Sequence, residues 1–175
     1  NSTRNALVEY CLVSVGDDGV CLKSGINEDA WRVARSTENI VVRHITVHTS
    51  HGGFVIGSDT GGDIRDVYVH DCVFRGTDRG IRFKSNASLG GIVENIYCEN
   101  IAMEDLRHQV IWIDTNYGAY MASENGKAYP VFRNLSFRNI TCNNAGEVID
   151  MQGTSHAPIE NVTLENLDIS AGKGM

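Results

Sequence analysis

Three short runs in this 175-residue chain carry residue types that do acid–base chemistry. Gly16-Asp17-Asp18-Gly19 sets two carboxylates side by side, Ser50-His51-Gly52 adds an imidazole, and Arg82-Phe83-Lys84 adds two cations. Asp18 precedes His51 by 33 residues, and His51 precedes Arg82 by 31. A near-constant interval of this size is what a coiled solenoid produces from one turn to the next. On such a solenoid the three runs stack on one face. A carboxylate pair can then divide the labour of breaking a sugar–sugar bond. One group protonates the leaving oxygen, and the other activates water or attacks directly. Two close carboxylates repel, so one pKa is expected to rise and keep that group protonated. His51 would hold or tune a carboxylate. Arg82 and Lys84 would bind an acidic group on the sugar, Arg in bidentate fashion and Lys as a point charge. Singly, Asp-Asp-Gly is usually a turn, a histidine beside Gly-Gly a loop residue, and Arg-Lys alternation a solvated face. Their register makes the set functional. The same residues also suit β-elimination with Asp-bound Ca²⁺, and the pattern alone leaves that alternative open.

The elements that must position these groups are legible as a repeat. Six segments open on Asn5, Asn39, Asp66, Asn95, Asn134 and Asn161. One, three, six and eight places beyond each opening residue, every position is apolar. Offsets of two mark one strand face, and the step from three to six breaks that parity, as a chain turning a corner would. Rungs of variable length with a fixed inward set predict an all-β parallel β-helix of about six rungs. In such a fold each turn buries its face only by stacking on its neighbours. The opening Asn or Asp suits a left-handed bend, and its amide can bond to the residue above or below. A second polar column, five places on, reads Tyr10, His44, Asp71, Asn100, Asn139 and Asn166.

Four of the five cysteines (Cys11, Cys72, Cys98 and Cys142) fall on inward columns and read as small core residues; Cys21 stays unassigned. No CxxC pair suggests structural zinc. Apparent glycosylation sequons at Asn134, Asn139 and Asn161 fall out of the ladder, whereas Asn1 and Asn86 read as exposed. A second strand set, including Val20 to Lys23, Phe54 to Gly57 and Ile81 to Lys84, alternates inward and outward. It places Arg82 and Lys84 on one outer face, with Asp17, Asp18 and His51 at its edge.

Bulk properties agree with one domain over residues 1–175. The chain is 42% hydrophobic with 2 Pro, which supports a core. A net charge of −7 argues against nucleic acid or a membrane surface as partner, while leaving room for a local anion site. No apolar run approaches the roughly 20 residues of a membrane span. Residues 1–5 are polar and show no signal segment.

The three runs, with Lys23-Ser24-Gly25 and Gly80-Ile81 beside them, resemble the motifs of the polygalacturonases, glycoside hydrolase family 28. The resemblance covers nearly the whole chain. It implies a right-handed parallel β-helix that hydrolyses α-1,4 links between galacturonic acids with inversion, using no metal or cofactor. By the same resemblance Asp17 is the general acid and Asp18 one of two water-activating aspartates. His51 supports the acid, and Arg82 and Lys84 bind the galacturonate carboxylate. Tyr117, in Asp114-Thr115-Asn116-Tyr117, matches a substrate-binding tyrosine. Two departures stand out. Ser50 precedes the histidine where the family has Gly. The family's Asn-Thr-Asp motif, one rung before the aspartate pair, is absent, because Asn1-Ser2-Thr3 lacks the acid. The expectation is therefore the C-terminal part of a longer catalytic domain, without its N-terminal cap. The implied partner is pectin or polygalacturonate, the implied state a monomer at full length, and the implied location secreted or periplasmic. The rivals are a non-catalytic pectin-binding β-helix and a pectinase for decorated or rhamnose-containing chains. A long loop from Gly118 to Pro130, beside Tyr117, is expected to narrow the cleft toward exo cleavage.

Overall fold

Each turn of the chain starts at a residue with left-handed backbone. In the computed structural model, which describes residues 1–118 and 128–175, φ lies between 52° and 57° at Asn5, Asn39, Asp66, Asn95, Asn134 and Asn161. The second polar column behaves alike, with φ of 51° to 54° from Tyr10 to Asn166. Asn and Asp tolerate this conformation because a short polar side chain can bond locally. Here it bonds to the next rung: Asn39 donates to Asn5 at 3.1 Å, Asn134 to Asn95 at 3.1 Å and Asn161 to Asn134 at 3.2 Å.

Between the bends the chain runs as strands. In order they are β1 (Arg4–Glu9), β2 (Leu12–Ser14), β3 (Val20–Leu22), β4 (Thr37–Arg43), β5 (Thr46–His48), β6 (Phe54–Gly57), β7 (Ile64–Arg75), β8 (Ile81–Lys84), β9 (Ile92–Asp114), β10 (Val131–Gln152) and β11 (Ile159–Lys173). Every pairing between them is parallel. The first segments align as Ala6, Ile40, Val67, Ile96, Leu135 and Val162, so the six rungs read from the sequence are the six rungs of the fold. The later strands of each rung form a third face, β3–β6–β8, continued by the ends of β9 and β10. This is a parallel β-helix. Its interior is one apolar column set, with the Phe83 ring 6.0 Å from that of Phe54 and 6.0 Å from that of Phe137.

Three readings need correction. Cys72, Cys98 and Cys142 are core residues, but Cys11 is exposed. It belongs to the first rung, which has a neighbour on one side only, so its column is uncovered there. Asn86 is buried rather than exposed, and its Nδ2 donates to the Tyr117 carbonyl at 2.9 Å. The fold also contains a short helix, α1 (Asn27–Val33), which the period-two pattern did not reveal. It carries Glu28 and Asp29 in its first turn and Arg32 in its last, which suits the helix dipole. It seats Ala30 against Gly25, where an added Cβ would lie 3.1 Å from the Ala30 methyl. The loop expected to narrow the cleft falls mostly on residues 119–127, outside the described residues.

The ladder gives a stability prediction. Asn134→Ala removes both of its inter-rung amide bonds and leaves a Cβ residue in the left-handed region. A loss of about 1–2 kcal/mol is expected in chemical denaturation. Asn134→Gly should lose less, because glycine accepts that backbone freely. Equal stability of all three proteins would remove the bend from the account.

Candidate active site

The floor of the site follows from strand register. Val20, Phe54 and Ile81 face inward in line, so the next residues, Cys21, Val55 and Arg82, face outward in line, and Trp112 and Asp150 continue that column. Two residues on, Gly57, Lys84 and Asp114 form a parallel outward column. Arg82 and Lys84 therefore stand side by side on one rung.

The acidic turn reaches over this floor from two rungs earlier. Asp18 Oδ1 accepts from Arg82 Nη1 at 2.8 Å, and Asp18 Oδ2 accepts from Lys84 Nζ at 2.8 Å. All three side chains are nearly buried, at 10%, 9% and 8% exposure. The aromatic Tyr117 closes the far side, its ring 5.6 Å from the Arg82 guanidinium and 5.3 Å from the Lys84 ammonium. Asn86 and the Ser85 carbonyl fix the Tyr117 backbone in place. Gly52 lets the preceding rung lie close, since a Cβ there would sit 2.7 Å from a Val55 methyl and 3.1 Å from the Arg82 Cβ.

Asp17 lines the same cleft but stands open to solvent. Its side chain is 85% exposed, and His51 Nδ1 lies 3.2 Å from its Oδ1. The backbone ties the same two residues, the His51 amide donating to the Asp17 carbonyl at 2.9 Å. His51 Nε2 lies 4.0 Å from Asp78, which Arg107 pairs at 3.2 Å. The six residues expected from the sequence thus come together, with Cys21 and Lys23, around one open cleft of about 470 Å³.

The electrostatics differ from expectation in two respects. Arg82 and Lys84 are not waiting free for a substrate, because they hold Asp18. The expected rise in a carboxylate pKa does not occur at Asp17 either. The Asp18 amide, donating at 2.8 Å, holds the Asp17 carboxyl below its usual range, and His51 adds to the effect. Asp18 itself is paired with Arg82 and Lys84. Burial pushes the Cys21 thiol up to about 11, so at neutral pH it is a neutral cleft wall and not a nucleophile.

Sequence reasoning missed Asp78, Trp112 and Arg79. Trp112 was within reach, because it occupies the Arg82 column one rung later. Asp78 and Arg79 lie in the turn before β8, where the repeat has no fixed offset.

Fold and cleft together define a β-solenoid protein with an acid–base site on one of its sheets. Residues 1–175 match the glycosyl hydrolases family 28, and the chain belongs to that family. It is 31% identical over 170 residues to the endo-polygalacturonase of Pectobacterium carotovorum subsp. carotovorum, covering 97% of this chain and 39% of that protein. It is 28% identical over 171 residues to a probable polygalacturonase of Vitis vinifera, covering 97% of this chain and 35% of that protein. Among solved structures, a hyperthermoactive exopolygalacturonase from Thermotoga maritima superposes with a TM-score of 0.89 at 27% identity, covering 99% of this chain and 39% of that one. The chain thus spans 35% and 39% of the length of these two curated relatives.

Removing one partner of a buried ionic cluster costs more than the pair contributes, because charges are left unpaired. Asp18→Ala is therefore expected to lower stability by about 3 kcal/mol or more. Asp18→Asn, which keeps an acceptor oxygen, should lose less. Denaturation curves that overlay the unsubstituted protein would contradict the clamp.

Proposed function

We propose that the protein containing this chain hydrolyses α-1,4 links between galacturonic acid residues of pectin or polygalacturonate. One observation carries the reading: two nearly buried cations share a single carboxylate at the floor of the cleft. The floor keeps one uncompensated positive charge, which suits an anionic sugar. Arg82 uses Nη1 on Asp18, and among the described residues its Nη2 has no protein partner, so that nitrogen can take the substrate carboxylate. Lys84 adds its charge, and the Tyr117 ring offers an apolar face to the pyranose.

In this reading Asp17, open to solvent and braced by His51, gives its proton to the leaving glycosidic oxygen as the bond to the anomeric carbon breaks. Water adds to that carbon and releases its proton to Asp18. The nearest side-chain atoms of Asp17, Asp18 and His51 lie within 4.8 Å of one another. That is tighter than the roughly 6.5–9.5 Å between carboxyls of most inverting pairs. The clamp on Asp18 supports inversion. Asp18 is held at both oxygens and cannot swing onto the sugar, yet a carboxylate has about four acceptor sites and keeps some for water. The substrate is an extracellular polymer, so the protein acts outside the cytoplasm.

Asp17→Asn in the intact enzyme should reduce release of reducing ends from polygalacturonate by at least about 10²-fold, the lower range for loss of a general acid. Unchanged turnover would sink the assignment. Proton NMR of the first product should show the β-anomer, and an α-anomer would replace water activation with a covalent step.

The low pKa of Asp17 also sets a pH signature. An acid must carry its proton, so kcat/KM, which reports the free protein, falls as pH rises through that lowered pKa. Bound substrate adds a negative charge and excludes water, and both raise the Asp17 pKa. The descending limb of kcat should therefore lie at higher pH than that of kcat/KM. Coincident limbs would show that Asp17 is not the titrating acid.

A further inference from the structure

Among the described residues nearly every arginine is ion-paired, and one exception lies beside the site. Of the arginines, all described, nine have a guanidinium nitrogen within 4.0 Å of a carboxylate. The two without such a partner among the described residues are Arg35, on the open surface, and Arg79, which is half-buried. Arg79 is nonetheless held firmly. Its Nε donates to Gln109 Oε1 at 2.9 Å, and its guanidinium lies 4.5 Å from the centre of the Trp112 ring. The Gln109 amide cannot turn away, because its Nε2 donates to Glu147 at 2.6 Å and Glu147 is in turn paired with Lys173 at 2.7 Å. The carboxylate fixes which end of the amide faces Arg79.

Both Nη atoms of Arg79 lack a protein partner among the described residues, and neither is a buried orphan. The fork is therefore open to solvent beside Trp112. Burial and the neighbouring Arg82 charge lower the Arg79 pKa, as expected of a cation whose own counterion is missing. Its position along the axis is informative. Trp112 pairs with Arg82 from the next rung, and the Arg82 guanidinium lies 5.4 Å from the centre of the same ring, while Arg79 is bonded to Gln109 of that next rung. Arg79 thus presents its charge about one rung, or roughly 4.8 Å, beyond the floor formed by Arg82 and Lys84. A polymer lying along the axis brings its next residue there.

We propose that Arg79, held over Trp112 by Gln109, binds the carboxylate of the uronate next to the one taken by Arg82 and Lys84. The cleft then reads two consecutive free carboxylates and selects unesterified stretches of the polymer. This rests on the polygalacturonate reading above and names the substrate pattern for that site.

The test compares Arg79→Gln and Arg79→Lys with the unsubstituted intact enzyme on polygalacturonate and on heavily methyl-esterified pectin. Arg79→Gln should lower kcat/KM on polygalacturonate by about tenfold, the worth of one charge-assisted contact, chiefly through KM. On esterified pectin, where the ester cannot accept a charge-assisted fork, it should change kcat/KM less than about twofold. Arg79→Lys should keep most of the preference for the unesterified polymer. Equal losses on both substrates, or none on either, would overturn the role of Arg79 while leaving the activity itself intact. An unsubstituted enzyme that cleaves neither substrate would overturn the underlying reading and this proposal together.

Discussion

Everything in this fold depends on parallel, in-register stacking of one rung on the next. No rung has a hydrophobic core of its own. Ile40, Val67 and Ile96 are buried because each lies between the corresponding residues of its neighbours. The last rung of the chain makes the dependence visible, since Leu164, on an inward column, remains exposed. Stacking also imposes the charge pattern of the outer sheets. Residues on adjacent rungs face each other at strand spacing, so opposite charges alternate along the axis. Arg4, Glu38, Arg65, Glu94 and Arg133 form one such line.

The same constraint builds the cleft. A solenoid brings together residues about thirty positions apart without any long-range chain crossing, so a site can be assembled from one short turn per rung. The cost is that every group sits at a height fixed by the rung that carries it. Asp18 meets Arg82 and Lys84 only because its turn leans across the intervening rung at Gly52, where any side chain would collide with Val55. The resulting trio does two jobs. It links the first and third rungs of the chain at the floor of the cleft, and it sets one carboxylate against two cations.

Much of this was legible in the residues. The inward columns and the asparagine bends repeat at fixed offsets, so register and rung number follow from alignment within the chain. The clustering of Asp17, Asp18, His51, Arg82 and Lys84 follows from the same register. What was not legible is how the charges distribute once assembled. Sequence places Asp17 and Asp18 as neighbours and suggests mutual repulsion. The fold leaves Asp17 exposed and Asp18 nearly buried, and the cations settle on Asp18. Asn86 misled because a sequon describes a tripeptide, whereas its burial depends on a tyrosine thirty-one residues away. α1 escaped because a seven-residue helix seated by one alanine leaves too little periodicity to detect.

The amide ladder has a direction. Each asparagine gives its Nδ2 hydrogen to the rung before it, from Asn161 through Asn134 and Asn95 to Asp66, and from Asn166 through Asn139 and Asn100 to Asp71. A carboxylate can receive such a bond but cannot pass one on. Asp66 and Asp71 are therefore termini at which two polar wires end on the same rung, and Asn39 with Asn5 begins a separate circuit beyond. The solenoid, uniform in its apolar interior, is segmented along its polar edge, with the break between the rungs that carry His51 and Arg82.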